Sequence, residues 1–136
     1  MNINILTAAI AGCVLLCSVC NATNIAILKE NIPNARGHAD PDQMAKVLSQ
    51  AKHKVDLIDA KQLADSRSFN ATKYSVVVFP YGSFFPAQAR ENFLSFLRNG
   101  GDFISTGGYA FDEPAIRHNG KWITRSQAKE LPVNKI

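Results

Sequence analysis

Beyond residue 22 this chain has no cysteine. All three of its cysteines, Cys13, Cys17 and Cys20, lie before that point. A domain that begins at residue 23 is therefore expected to hold no disulfide, no thiolate metal site and no cysteine nucleophile, and to depend on its core alone for stability. The stretch from Met1 to Ala22 lacks something else, since it has no charged side chain. It is mostly apolar and ends with Cys20 and Ala22 at the minus-three and minus-one positions of a cleavage site, the pattern of a secretory leader. Its apolar run is short for a membrane span, which needs roughly 20 residues. The expected location is secreted or periplasmic, with no membrane contact after the leader is cut. An alternative is a lipoprotein attached through Cys13, because Ile10-Ala11-Gly12-Cys13 has the residue types of a lipid-attachment box. Against it, the apolar run continues through Val14-Leu15-Leu16, where a polar tether is usual.

The chain also lacks concentrated charge. Its formal charge is +4, but the basic residues are scattered from Lys29 to Lys135, and no aromatic residues interleave with them as stacking platforms. Nucleic-acid binding is not expected. His38, His53 and His118 are never spaced as metal ligands are, so neither a metal nor another cofactor is expected. A hydrolase elbow of the form Gly-x-Ser-x-Gly is missing. Ser83 stands in Tyr81-Gly82-Ser83-Phe84-Phe85 without the framing glycines, and Ser105 falls inside a predicted strand. There is no internal repeat and no low-complexity stretch.

What is present is a regular alternation of strand and helix signals over 136 residues, enough for one small domain. Ile25-Ala26-Ile27-Leu28 is apolar on both faces and reads as a central parallel strand. Asp40-Pro41-Asp42-Gln43 announces a helix, with Asp40 as N-cap, Pro41 in the first position and Gln43 on the far side of a capping box. Met44, Val47, Leu48 and Ala51 would form its apolar stripe. Lys54 to Asp59 alternates, as an edge strand does. Residues Ala60 to Lys73 read as an irregular helical connection anchored by Leu63 and Phe69. Val76-Val77-Val78-Phe79 is the most β-prone run, and Pro80 stops it. Pro86 is read as opening the next helix, whose buried stripe is Phe93, Leu94, Phe96 and Leu97. Asn99-Gly100-Gly101 ends that helix, with a glycine for the left-handed position. Asp102 to Thr106 is the fourth strand.

This order predicts an α/β fold, a flavodoxin-like parallel sheet of strand order 2-1-3-4 with helices on both faces. The expected organisation is a leader over 1–22, an α/β domain over 23–112 and an irregular extension over 113–136, in which Gly120 to Thr124 reads as one strand of a hairpin. No fifth strand-plus-helix unit follows, so the sheet is expected to be incomplete, a truncated product or the N-terminal part of something longer. Its fourth-strand edge would then be open to self-association or to another domain.

In such a sheet the ligand crevice lies beyond the carboxyl ends of the strands, where strand order reverses. Three loops meet there, Glu30 to Asp40, Pro80 to Phe85 and Gly107 to Asp112. They offer Glu30, Arg36, His38, Tyr81, Ser83, Tyr109 and Asp112 as polar candidates. Gly107 and Gly108 would allow a ligand or a neighbouring backbone to approach closely, or form a tight turn. Tyr81, Phe84, Phe85 and Tyr109 would make an aromatic rim suited to a glycan or a docking domain. His38 reads either as a general base or as an exposed loop histidine. His53, at a helix end, reads as structural. Asn70-Ala71-Thr72 is a glycosylation sequon.

The run from Val76 to Phe111 resembles the class I glutamine amidotransferase-like superfamily. It resembles most the secreted, non-amidotransferase branch found beside glycoside hydrolases, including the trimerisation domains of β-galactosidases. The marks are a strand ending in Phe79-Pro80-Tyr81-Gly82, Phe85-Pro86 before the helix, Gly100-Gly101 before the next strand and Gly107-Gly108 after it. True amidotransferases of this superfamily carry a cysteine at the elbow after the strand that corresponds to Asp102 to Thr106. Here Thr106-Gly107-Gly108 stands in its place, so the resemblance implies no glutaminase activity and no catalytic residue to carry over. It implies an accessory domain in carbohydrate processing, with a glycoside hydrolase domain, a glycan or a second copy as partner. Rival expectations are a sugar- or ester-directed hydrolase using His38, Ser83 or Asp112, and a fragment without independent function.

Overall fold

A computed structural model describes residues 23–32, 39–109 and 111–131. The proposed leader, Cys13, Arg36 and His38 lie outside the described residues. A four-stranded, wholly parallel sheet is built from β1 (Asn24–Leu28), β2 (Lys54–Ile58), β3 (Val76–Phe79) and β5 (Asp102–Ser105), in the spatial order β2-β1-β3-β5. This is the flavodoxin-like arrangement. The fourth wound strand is β5 because a three-residue strand, β4 (Phe84–Pro86), comes first in the chain.

Alternation along the strands sends side chains to two faces, and a helical layer covers each. Ile25, Ile27 and Val78 meet Met44, Ala45 and Leu48 of α1 (Pro41–Gln50). Ala26, Leu28, Val77 and Phe79 cluster with Leu63 of α2 (Ala60–Ala64) and with Phe93 and Phe96 of α3 (Arg90–Arg98). Asp40 caps α1 as its sequence position suggests, accepting the N–H groups of Asp42 and Gln43 at 2.9 and 3.4 Å. Among the described residues the Gln43 side chain makes no return bond. Reciprocal capping boxes form at α2, between Asp59 and Gln62, and at α4 (Arg125–Lys129), between Thr124 and Gln127.

Two expectations are corrected. The stripe of α1 is Met44, Ala45 and Leu48, whereas Val47 is 61% exposed and Ala51 faces water. Pro86 does not open a helix. It ends β4, a single turn of 3-10 helix follows over Ala87–Ala89, and α3 begins at Arg90. The reason is long-range, since Phe84, Phe85 and Pro86 pair in parallel with Glu113, Pro114 and Ala115 of β6 (Glu113–His118). β6 turns back through Asn119 and Gly120, both at positive φ, into β7 (Lys121–Ile123). The C-terminal extension, expected to be irregular apart from one hairpin, thus supplies that hairpin as two of the three strands of a second sheet, β4-β6-β7, followed by a capped helical turn.

Five phenylalanines, Phe79, Phe85, Phe93, Phe103 and Phe111, form one mutual cluster, with ring centroids 5.1 to 6.4 Å apart. Edge and tilted pairs of this kind contribute about 0.5–1.5 kcal/mol each beyond their area burial. Phe111 joins the cluster from a backbone at φ 69°, a conformation bulky residues rarely adopt. Its four ring contacts offset that strain.

The end of α3 shows two glycines used for different reasons. Gly101 donates to the Phe96 carbonyl and Gly100 to that of Leu97, both at 3.0 Å, closing a Schellman motif. Gly100 sits at φ 89° with open space around it, so its requirement is conformational. A methyl group on Gly101 would lie 2.2 Å from the Phe96 ring, so its requirement is steric. Gly100→Ala is expected to cost about 1 kcal/mol. Gly101→Ala is expected to cost about 1–3 kcal/mol, because a buried ring must move. Urea unfolding of the two variants measures the difference. Equal losses would mean that the Phe96 contact is not what selects glycine at 101.

Candidate functional site

The strand order reverses between β1 and β3, and at their carboxyl ends the chain places Glu30 and Tyr81. The Glu30 N–H donates to the Tyr81 hydroxyl oxygen at 2.6 Å. The Glu30 side chain is only 9% exposed. Its Oε1 accepts the N–H of Ala60, the first residue of α2, at 2.8 Å, and its Oε2 accepts the indole N–H of Trp122 from β7 at 3.3 Å. The Arg117 guanidinium of β6 lies 4.0 Å from Oε1 and 5.5 Å from the centre of the Trp122 ring. One carboxylate thus joins the ends of β1, the start of α2 and both strands of the hairpin.

Tyr81 is buried, and burial raises its phenol above the usual tyrosine range, partly opposed by the Glu30 N–H that would favour the phenolate. A raised folded-state pKa stabilises the fold while the phenol is protonated. That contribution is complete below pH 10 and is lost as pH climbs through the raised value. Lys29, one residue before Glu30, pairs with Asp42 at 2.8 Å on the surface, and this hydrogen bond raises the ammonium pKa. Being exposed, the pair is screened by solvent and salt.

The second and third loops also meet. The Gly82 N–H donates to the Thr106 carbonyl at 3.0 Å, and the Thr106 N–H to that of Phe79 at 3.1 Å, so the β3–β5 pairing runs past the strands' ends. Gly107 and Gly108 have φ of 85° and 153°. A methyl group on Gly108 would be 3.5 Å from the Ser83 nitrogen. Gly108 therefore lies against the backbone of Gly82 and Ser83. Ser83 is half-buried, and its carbonyl accepts the Glu113 N–H at 3.0 Å, which starts the β4–β6 ladder. Among the described residues Ser105 Oγ reaches only the Gly82 carbonyl, at 3.4 Å. The Thr106 hydroxyl, which no sequence pattern singles out, is buried and has no hydrogen-bond partner among the described residues.

The expected aromatic rim does not form. Tyr81, Phe84 and Phe85 are buried, and only Tyr109 stands in solvent, at 87% exposure. Residues 84–86 pair with β6 and are buried at all three positions, so both faces of β4 are covered, and the Tyr81 hydroxyl is engaged by the Glu30 N–H. Asp112 is exposed. So Glu30 and Tyr81 are brought together, Ser83 meets Gly108, and Tyr109 stays apart. Arg117, Lys121 and Trp122 belong to the site but carry no local motif, since only the docked hairpin brings them to Glu30.

Two clefts flank this junction. One, of about 500 Å³, is lined by Lys29, Glu30, Asn31, Asp40, Asp42 and Tyr81. The other, of about 400 Å³, is lined by Glu30, Asn31, Arg117, Gly120, Lys121 and Trp122. The first is mostly acidic and the second mostly basic. Among the described residues no group of three or more histidine, cysteine, aspartate or glutamate side chains converges as a metal site, and no helix is long and apolar enough to cross a membrane.

Comparison of the chain with protein-family models, with curated proteins and with solved structures finds no match in any of the three. The site must therefore be read from its own chemistry.

That chemistry is first of all structural. Glu30→Gln leaves one Oε in place but sets an amide N–H₂ against a donor, and is expected to lower stability by about 2–3 kcal/mol, the scale of hydrogen bonds to a charged group. Trp122→Phe is expected to cost less alone and to add little to the Glu30 change. A double-mutant cycle read by urea unfolding checks this. Strictly additive losses would show that the two side chains are not coupled.

Proposed function

We propose that this chain is a non-catalytic α/β module that acts by association, and that a second copy of itself pairs with its β5 edge. The observation that carries the reading is the state of that edge. Among the described residues β5 is paired only with β3, and it contains neither lysine nor proline, residues that usually guard an edge strand. Phe103 on one face is 40% exposed and Ile104 on the other is 52% exposed. An apolar groove of about 380 Å³ lies beside Ile104, lined by Met44, Val47, Leu48 and Val78.

A second copy suits this edge because one operation serves both faces. A two-fold axis normal to the sheet would pair the two β5 strands antiparallel and keep corresponding faces on the same side. Directly opposed residues then share a face, so registers centred on Phe103 or on Ile104 both extend the two apolar surfaces. The result would be one eight-stranded sheet with helices on each side. The resemblance to the oligomerising domains of secreted glycoside hydrolases points the same way, and the proposal includes export after cleavage at Ala22 and a role beside carbohydrate processing. Covalent chemistry is disfavoured because the Glu30 carboxylate is occupied by structural donors and neither Ser83 nor Ser105 bonds to a described imidazole.

Light scattering on the eluting protein tests the reading. A dimer is expected at about 10 µM, as an association free energy near −8 kcal/mol supports. Ile104→Lys, which guards the edge without opening the core, is expected to give a folded monomer. A wild-type monomer at that concentration would overturn the proposal, as would binding to a glycan or to a glycosidase domain by a chain that never self-associates.

A further inference from the structure

The crevice at the strand ends is electrically divided, and its basic half is built around a single arginine. Arg117 extends from β6 directly opposite Trp122 of β7. Its guanidinium lies over the indole ring, and its nearest carboxylate oxygen, on Glu30, is 4.0 Å away, too far for a hydrogen bond. Both Glu30 oxygens already hold other donors, from Ala60 and Trp122. The carboxylate therefore orients Arg117 without using its N–H groups. Among the described residues the Arg117 side chain makes no hydrogen bond, and it is 50% exposed and lines the 400 Å³ cleft, so its planar fork of donors is available to a ligand there. Lys121 and Asn31 line the same cleft. On the opposite side of Glu30, Asp40 and Asp42 line the neighbouring cleft, with Lys29 paired to Asp42.

We infer that the cleft between the β6–β7 hairpin and Asn31 binds a small oxyanion, the phosphate or carboxylate group of a polar metabolite. A guanidinium placed over an indole and beside a fixed carboxylate is partly pre-positioned, and its fork matches two oxygens of such a group. Lys121 adds a second positive charge and Asn31 a neutral donor. The acidic neighbouring cleft directs an anion to the Arg117 side. The position agrees with the rule that open parallel sheets bind ligands beyond the strand ends where their order reverses. This site does not involve β5, so it stands or falls apart from self-association.

The chain has a single tryptophan, and its indole N–H lies at the site, which makes it the reporter. The full chain, labelled with ¹⁵N, is titrated with sodium phosphate and separately with sodium citrate, each against sodium chloride of equal ionic strength. A saturable shift of the Trp122 indole resonance is expected with at least one of the two, at a Kd of about 1 mM or below. The stronger of the two identifies the oxyanion as phosphate or carboxylate. Lys121→Gln, an exposed change with no packing loss, is expected to weaken binding about fivefold. Arg117→Lys keeps the charge but loses the fork, and is expected to weaken it about tenfold. Shifts no larger than those with chloride would overturn the proposal. So would a titration that both variants leave unchanged.

Discussion

A carboxylate taken out of water has to be given donors, and in this protein the two donors to the Glu30 carboxylate come from places far apart in the chain. Ala60 supplies one at the start of α2 and Trp122 another from β7, while Arg117 of β6 supplies compensating charge. Each donor is satisfied only if the wound sheet and the C-terminal hairpin are both folded and docked. The penalty for leaving a charge unpaired in a low-dielectric site runs to several kcal/mol, well above the worth of any single neutral hydrogen bond. The hairpin is thereby tied to the crevice of the main sheet. The Tyr81 hydroxyl, accepting from the Glu30 N–H, joins β3 to the same point.

Around that junction the two sheets divide the work. The main sheet buries its central strands on both faces, which is why β1 and β3 are nearly uniformly apolar. The small sheet uses β4 to carry Phe84 and Phe85 inward and leaves its hairpin beside Glu30. The phenylalanine cluster links them, since Phe79 belongs to one sheet, Phe85 to the other, and Phe111 enters from the loop between. Its outermost member, Phe103, sits on the open edge strand and is only partly covered. The same packing that stabilises the core therefore extends to a boundary where an apolar surface meets water. In energetic terms that boundary is where association gains most.

The strand ends carry a second kind of asymmetry. Backbone contacts between Gly82, Thr106 and Gly108 close the crevice on the β5 side. What stays open lies on either side of Glu30, acidic toward α1 and basic toward the hairpin. A carboxylate that serves as a structural tie also separates the two regions and orients the arginine of one of them. Position and chemistry come from the same residue, even though its own oxygens are fully used.

Much of this was legible in the amino-acid sequence, because those parts depend on neighbours in the chain. The apolar runs of β1 and β3, the Asp40 cap with Pro41, the anchors Leu63 and Phe69, the glycine end of α3 and the strand order all follow from short-range pattern and from the rules for connecting parallel strands. Glu30 and Tyr81 could be placed at the crevice for the same reason. Other features depended on distant partners. Phe84 to Pro86 look like a turn and a helix start until β6 pairs with them. Val47 belongs to an apolar stripe until the sheet fails to extend beneath it. Arg117 and Trp122 have no motif at all, since they lie more than eighty residues from Glu30 in the chain. Local sequence sets which backbone states and faces are available. Only the closed tertiary structure decides which groups from separate segments share one desolvated space, because desolvation is a property of everything that surrounds a group and not of the residue that carries it.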